Sequence, residues 1–527
     1  MAFETSVDRR TFLAGGIAAG AALFTPAFLR DALAGAVPGA NPYGPLQAPD
    51  ANGLMLPPGF TSRQVASGRE PIGPTKYPWH FAPDGQATYR TLDGGYILVQ
   101  NSEVPSVTGG GSSAITFDKD GAITGAHRIL AGTNLNCAGG PTPWGTWLSC
   151  EEHPGGMVWE ADPAGILPAL PRPALGNFSH EAAAVDPVGG HVYLSEDQGD
   201  GLFYRFTPAT KGDLTTGVLD AAVVAADGSV TWARVPDPNI VTQGQETRQQ
   251  VPEATRFDGS EGLWHHEGIV YFTTKGDRKV WAYDVRAAKI EVLYDHRVTP
   301  GAALDAVDNI TVSPFGDVYV CEDGGNMEIG LITPERQVSA FLRLTGDAHE
   351  GSEMTGVVFD PSARRMYFSS QRANAHVPGT PAADGATFEV TGPFRLPPGG
   401  VPESWVFGPP AGEQLEMLPA GGPLKLDAAS TLRGVRATLA LERAGDVDLV
   451  LRSSDLRTAP WWSGGPDRPV ATTIAARRES LGAGTHTVHL PLPLPLALAG
   501  RALDATLVAA TTVDGQHSAV GTRLTLG

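Results

Sequence analysis

The chain has 527 residues, of which 42% are hydrophobic, so it is long enough for more than one domain and can bury a large core. Its net charge of −19 argues against nucleic-acid binding, because that function requires a basic surface. The 65 glycines and 44 prolines fall between short apolar runs, as the turns of an all-β protein do.

The first 36 residues are predicted to be an export signal. The pair Arg9-Arg10 is followed by an apolar stretch over 14–24 and by small residues that allow cleavage after Ala34 or Ala36. An anchoring N-terminal helix is the alternative, but the apolar run is too short for a stable membrane span. We therefore predict export by the twin-arginine machinery to the periplasm, the cell envelope or the medium.

Residues 79–408 contain a repeated strand that ends on polar residues. The strand recurs about every 46 to 50 residues. A strand-like repeat of this length predicts a β-propeller with one four-stranded blade per repeat. Six copies predict six blades, and the single interval of 78 residues, between Tyr193 and Tyr271, predicts a blade with an insertion. The preceding Pro/Gly-rich segment, 37–78, holds a strand-like run at 60–65 that could close the ring. The markers recur every 46 to 50 residues, with one interval of 78, and are Ile97, Trp147, Tyr193, Tyr271, Tyr319 and Tyr367.

A second polar position lies in a turn 10 to 14 residues before each marker from the second onward. Rotation about the propeller axis would turn such a position into a ring at one mouth of the channel. Clustered carboxylates repel each other unless cations neutralise them, so we predict a polynuclear metal site there. Solvated blade turns are the alternative interpretation. The residues are Asn136, His180-Glu181, Glu261, Asp308-Asn309 and Glu353.

Three cysteines and one histidine add other donors to this acidic set. Cys150 and Cys321 each directly precede an acidic pair, and a thiolate beside carboxylates suits iron better than calcium or magnesium alone. A disulfide between Cys137 and Cys150 is equally open, and Cys321 is expected to be a buried inert thiol. His180 either binds metal or orients Glu181.

Beyond residue 408 the acidic repeat stops. Residues 409–422 form a Pro/Gly-rich linker, and 423–527 contain short alternating strands. We predict a small C-terminal β-sandwich domain there, to which the sequence assigns no chemistry.

The segment from Asn136 to Glu152 closely resembles the hallmark of the PhoX-type alkaline phosphatase family. Further similar motifs lie at 101–103, 179–182, 308–309, 322–323, 353–356 and Gln371, so the resemblance covers about 95–375. It implies a six-bladed propeller, exported by the twin-arginine route, that hydrolyses small phosphate monoesters at a cluster of oxo-bridged ferric and calcium ions. We also expect a monomer.

The resemblance further implies the residues that hold these ions. Cys150 would be the thiolate ligand to iron. The carboxylate ligands to iron or calcium would be Glu103, Glu151, Glu181, Glu261, Asp308, Glu322 and Glu353.

The sequence departs from the family pattern at two places. Ser102 stands where the family usually has histidine, and the family's Arg-Pro-Glu-Trp turn appears as 259–262 with Gly259 in place of the arginine. That arginine would hold the substrate phosphate, and either Arg256 or Lys275 could replace it beside Glu261. We expect a phosphatase slower than relatives that keep the arginine, and higher turnover in a Gly259→Arg variant.

Two other functions remain open on the sequence. One is a calcium-dependent lactonase or esterase of the six-bladed propeller kind. The other is a non-catalytic binding propeller whose calcium only ties the blades together.

Overall fold

Six antiparallel sheets in a closed ring form a six-bladed β-propeller, as predicted. The innermost strand of each blade packs against the innermost strands of both neighbouring blades, all the way round the ring. The structure, a computed structural model, describes residues 35–91, 94–165, 169–239, 245–299, 301, 304–373, 384–408, 424–431, 434–441, 444–453, 473–491, 503–513 and 516–526.

The propeller strands follow one another blade by blade. They are β1 (Val37–Pro38), β2 (Leu54–Met55), β3 (Thr61–Ser67), β4 (Pro83–Arg90), β5 (Tyr96–Ser102), β6 (Gly111–Phe117), β7 (Ile123–Ala131), β8 (Asn136–Pro141), β9 (Trp147–Glu151), β10 (Val158–Ala161), β11 (Leu170–Pro171), β12 (His180–Val185), β13 (Val192–Glu196), β14 (Phe203–Thr210), β15 (Asp213–Val224), β16 (Val230–Arg234), β17 (Ser260–His266), β18 (Ile269–Thr274), β19 (Lys279–Asp284), β20 (Lys289–Asp295), β21 (Val307–Val312), β22 (Val318–Glu322), β23 (Glu328–Ile332), β24 (Gln337–Leu344), β25 (Met354–Phe359), β26 (Arg365–Ser370) and β27 (Ala386–Thr391). Short 3₁₀ turns lie at Ser106–Thr108, Pro173–Leu175, Thr247–Gln250, Asp347–His349 and Glu403–Trp405.

Blades 1 to 5 begin with β4, β8, β12, β17 and β21, and blade 6 consists of β25, β26, β27 and β3. The N-terminal strand β3 is therefore the outermost strand of the last blade, which closes the ring as the run at 60–65 predicts. The long marker interval corresponds to blade 3, where β16 adds a fifth strand. Strands β1 and β2 both pair with β24 at the edge of blade 5.

Five of the six repeat markers are buried core residues, and Tyr271 is half-buried. Trp147, Tyr193 and Tyr319 are at most 1% exposed. Between blades 3 and 4, Phe203 stacks on Phe272 with ring centroids 4.7 Å apart. Burial of one such ring contributes about 1.5–3 kcal/mol. The apolar side chains therefore fill the spaces between blades, and the polar strand ends are left to line one mouth of the channel.

The C-terminal residues form two further antiparallel sheets. One contains β28 (Leu424–Thr431), β29 (Gly434–Leu441) and β32 (Gly484–Pro491), and the other contains β30 (Gly445–Ser453), β31 (Thr473–Leu481), β33 (Leu503–Val513) and β34 (Gln516–Leu526). Both sheets contribute side chains to one apolar cluster, including Leu439, Leu449 and Leu507. The β-sandwich assignment of 423–527 as a whole stays a prediction.

Of the predicted signal over 1–36, residues 1–34 lie outside the described residues. Ala36 is buried, and its amide donates to Leu293 O at 2.7 Å. Cleavage after Ala34 would keep this contact, whereas cleavage after Ala36 would remove it. Within the described part of the chain, no helix has the length and apolar character needed to cross a bilayer.

Candidate metal centre

A first ring of side chains comes from the start of each innermost strand. In blades 1 to 5 the pairing register of this strand shifts within its first few residues, and the ring residue lies inside the shift. Such bulges re-aim a side chain that regular alternation would direct elsewhere. In blade 6 the ring residue directly precedes the strand. We call Asp84, Cys137, Glu181, Glu261, Asp308 and Glu353 the inner ring.

A second ring comes from the residue that follows the second strand of each blade. Because the first two strands are antiparallel, the second strand ends at the mouth where the first begins. These side chains are on the whole more exposed than the inner ring, which is at most 8% exposed. We call Glu103, Glu152, Asp197, Lys275, Asp323 and Gln371 the outer ring.

The two rings bring donor atoms close enough to share metal ions. Four groups of three residues each have one donor atom per residue within 4.8 Å of the others. Neighbouring groups share a member, so they form one continuous belt. The groups are Asp84-Glu103-Cys137, Cys137-Glu152-Glu181, Glu181-Glu261-Asp308 and Asp308-Asp323-Glu353.

Several buried carboxylates of the belt lie close to one another without enough hydrogen bonds or positive charge to stabilise their ionised forms. Both carboxylate oxygens of Glu181 are buried without a hydrogen-bond partner among the described residues. Burial beside other carboxylates raises the pKa of Glu181 well above its ordinary value and raises the pKa values of Asp84 and Glu152 to about 8. Burial also raises the pKa of Asp308 to about 7, although Lys275 lowers it. Bound cations would remove this cost of ionising the belt.

The thiol in the belt is that of Cys137, whereas the expected ligand was Cys150. All three cysteines are free and buried, so Cys137 and Cys150 form no disulfide. Cys150 lies on β9 and packs with Leu148 and Val158 in an apolar cluster. Cys150 is thus packed among apolar side chains of blades 2 and 3, while the bulge at the start of β8 brings Cys137 to the belt. Cys321 is buried in another apolar cluster, as expected.

Glu151 and Glu322 also lie outside the belt, each one residue before an outer-ring acid. They are the last residues of second strands, and their side chains turn into their own blades. Glu151 accepts from Met157 N and Glu322 accepts from Glu328 N, both at 3.2 Å. Glu196 makes the same contact with Leu202 N in blade 3. These carboxylates stabilise the loop after the second strand by accepting hydrogen bonds from backbone amides beyond it.

His180 and Arg256 are not brought to the belt either. His180 Nε2 lies 3.0 Å from Gly176 O, and its ring packs on Phe178. Burial lowers the pKa of His180 to about 3, so the ring is neutral. Arg256 is exposed and donates to the carbonyls of Asp200 and Arg248.

The other predicted site residues are close together. Glu103, Glu181, Glu261, Asp308 and Glu353 all belong to the belt. Lys275 is the cation of the outer ring, and its Nζ lies 2.8 Å from Glu261 Oε1. Of the two expected substitutes for the missing arginine, Lys275 therefore reaches the site and Arg256 does not.

The sequence argument missed several residues of the site. Asp84 falls in the same 10 to 14 residue window before Ile97, so the repeat itself could have revealed it. Glu152 and Asp323 directly follow Glu151 and Glu322, the residues that were predicted as ligands. Arg372 follows Gln371 and contacts Glu353 and Glu103, and nothing in the sequence indicated it, because these contacts depend on which acids the fold places beside it.

The model of the alkaline phosphatase PhoX family matches the chain over residues 79–159, 153–291 and 288–374, which is the part that builds five blades and the first two strands of the sixth. The chain belongs to the PhoX family. No curated protein sequence gives a significant match to it.

Similar solved structures include a gluconolactonase from Xanthomonas campestris, with 12% identity and a TM-score of 0.38 over 67% of this chain and 99% of that one. A protein of unknown function from Bacteroides thetaiotaomicron has 11% identity and a TM-score of 0.39, over 63% and 76% of the two chains. A chain of a nidogen/laminin complex has 13% identity and a TM-score of 0.34, over 53% and 86%. At these scores the structural similarities carry no functional argument.

Proposed function

We propose that this PhoX-family chain hydrolyses phosphate monoesters at a centre of calcium and iron ions held by the belt. The observation that carries the proposal is the environment of Glu181. Its two buried oxygens have no hydrogen-bond partner in the described part of the chain, and they face a thiol and further carboxylates. A buried, unpaired carboxylate is costly unless a cation compensates it.

The donor types fit two kinds of ion. The group around Cys137, with Glu152 and Glu181, combines a soft sulfur with carboxylates, which suits iron. The groups that contain only carboxylates, such as Asp308, Asp323 and Glu353, suit calcium. Bound there, the ions would stabilise charge on the phosphoryl oxygens and supply a nucleophile at alkaline pH.

The chain's own residues would bind and orient the ester. Glu261 Oε1 holds the Lys275 ammonium at 2.8 Å, so we assign Glu261 the role of orienting this cation as well as binding metal. Lys275 would then attract the phosphate and neutralise part of its charge. Gln371 Nε2 donates to Asp84 at 2.5 Å and to Glu103 at 2.7 Å, which fixes these two carboxylates.

The organisation of the chain is part of the proposal. We propose that 1–36 direct twin-arginine export and that 79–408 form the catalytic propeller after the segment 37–78. Residues 409–422 would link the propeller to a second domain over 423–527. The active protein would be an exported monomer.

The neighbours Glu151 and Glu152 allow a matched test. Glu152→Gln should lower iron and calcium content together with aryl phosphate turnover, because Glu152 is a belt donor. Glu151→Gln should leave metal content unchanged, because Glu151 only fastens a loop. Elemental analysis and turnover assays on both purified variants check this.

Equal metal content in the two variants would contradict the proposed ligand set. Hydrolysis of a lactone, with no hydrolysis of an aryl phosphate by fully metallated protein, would support the lactonase instead.

A further inference from the structure

Lys275 breaks the charge pattern of the outer ring. Four of the six outer-ring residues are acids and one is Gln371, so Lys275 is the only cation of that ring. Its Nζ lies 2.8 Å from Glu261, 3.4 Å from Asp323 and 4.0 Å from Asp308. Its side chain is 35% exposed, so the ammonium lies between the buried acids and solvent.

The backbone of Lys275 lies beside Gly259, the position at which the family has an arginine. The Lys275 amide donates to Gly259 O at 2.7 Å. A Cβ added to Gly259 would lie 3.9 Å from Lys275 Cβ. The Lys275 side chain, directly after β18, therefore extends from the same part of the site as a side chain at position 259 would.

A second cation, Arg372, lies at the mouth in blade 6, directly after Gln371. Its guanidinium lies 2.6 Å from Glu353 and 3.6 Å from Glu103. The Arg372 side chain is 44% exposed, whereas that of Glu353 is 7% exposed, so the guanidinium covers the acid from the solvent side. Burial lowers the pKa of Arg372, but Glu353 and Glu103 outweigh this effect and raise it overall, so it stays charged.

The two cations flank one donor group. Lys275 contacts Asp323, Arg372 contacts Glu353, and these two acids belong to the same group of donors within 4.8 Å. When Glu261 and Glu353 coordinate an ion, the ammonium and guanidinium lose part of their attraction to these carboxylates. Both cations are then available to an anion that enters from solvent, close to the ions.

We propose that Arg372, together with Lys275, binds the phosphoryl oxygens of the substrate in place of the arginine missing at position 259. The proposal rests on the proposed function for the identity of the ligand, a phosphate monoester dianion. The planar guanidinium can hold two oxygens at once, and the ammonium binds a third as a point charge.

The test measures binding of inorganic phosphate to fully metallated protein by calorimetry, with metal content measured alongside. Arg372→Gln and Lys275→Gln should each weaken phosphate binding roughly 10- to 100-fold, the range for loss of a charge-assisted hydrogen bond. Arg372→Lys should lie between wild type and Arg372→Gln, because it keeps the charge but loses the fork.

The matched controls remove cations whose ion-pair partners are not belt residues. Arg343, 40% exposed, pairs with Glu328, and Lys279 pairs with Asp277 at 2.7 Å. Arg343→Gln and Lys279→Gln should leave phosphate affinity within about twofold of wild type, because charges that do not contact the belt act on the bound anion only at longer range, where salt screens them.

Unchanged phosphate affinity in Arg372→Gln and Lys275→Gln would overturn the proposal, as would weaker binding that only follows a loss of metal. Failure of the proposed function is a separate result. Tight, Arg372-dependent phosphate binding without turnover of an aryl phosphate would contradict phosphatase activity and support this pair as the anion site.

Discussion

Two cysteines separated by a single turn have opposite environments. Cys137 lies among Asp84, Glu103, Glu152 and Glu181, and burial beside these carboxylates raises the pKa of its thiol well above the ordinary value. Cys150 lies among apolar side chains. Only a bound cation would make ionisation of Cys137 favourable at neutral pH, so its thiolate and the metal should appear together.

The first prediction compares Cys137→Ser with Cys150→Ser. Cys137→Ser should lose iron and any visible thiolate-to-iron absorption band. Cys150→Ser should keep both but lose about 1–3 kcal/mol of stability, because it buries a hydroxyl in an apolar cluster. Elemental analysis, visible spectroscopy and denaturant unfolding check this. Loss of iron in Cys150→Ser alone would contradict the assignment.

The second prediction revises the expectation for Gly259→Arg. Gly259 has φ +66°, and a Cβ there would lie 3.2 Å from Asp197 Oδ1. A side chain at this position should cost about 1–2 kcal/mol in backbone strain. We now expect Gly259→Arg to be destabilised and no faster than wild type, because Lys275 already supplies a cation there.

Gly259→Ala isolates the strain, and Gly125→Ala is its control. Gly125 needs no positive φ, and an added Cβ would make only ordinary contacts at 3.5 Å. Urea unfolding should show a loss in the first variant and almost none in the second. Equal stability of the two would argue against strain at Gly259.

At the scale of strands, the sequence repeat reveals the propeller, the polar mouth and most of the inner ring, but not which residue at the end of a second strand reaches the belt. The polar ends of the second strands are visible in the sequence. Strand alternation alone, however, does not show whether Glu151 or Glu152 is the first residue past the strand. The bulges on the innermost strands are equally hidden, because they depend on pairing with the second strand. Lys275 reaches Asp308 and Asp323 because blades 4 and 5 are neighbours, and Arg372 reaches Glu103 because the closed ring places blade 6 beside blade 1.

The third prediction concerns closure of the ring by β3. This strand pairs with β27 from Thr61 to Ser67, so its removal leaves β27 with an unpaired edge. A chain that begins at residue 69 should aggregate and bind little metal. A control chain that begins at residue 40 lacks β1 and Ala36 but keeps β2 and β3, and it should stay folded and metallated. Size-exclusion chromatography and metal analysis check both, and a folded, metallated chain without β3 would contradict this role.

At the scale of the whole molecule, the belt makes stability depend on pH and on metal. Burial raises the pKa values of Asp84 and Glu152 to about 8 and that of Asp308 to about 7 in the metal-free protein. A group whose folded pKa lies above its unfolded pKa stabilises the fold at low pH. That contribution is lost as pH rises through the folded pKa.

The fourth prediction follows from this sign. The chelated protein should become less stable between pH 5 and 8, by up to about 1.4 kcal/mol per pH unit for each proton involved. Calcium and iron should flatten this slope, because they replace the protons, and should raise the melting temperature. Thermal unfolding with and without chelator checks this. A metal-free protein whose stability is constant or rises over that range would contradict the electrostatic account of the belt.

The central claim is that the belt holds iron at Cys137. The most direct measurement is anomalous X-ray diffraction, at the iron absorption edge, from crystals of protein purified without added metal. The account predicts an anomalous peak within bonding distance of the Cys137 sulfur and of a Glu152 or Glu181 carboxylate, with no peak at Cys150. An empty belt, or iron bound elsewhere on the molecule, would contradict it.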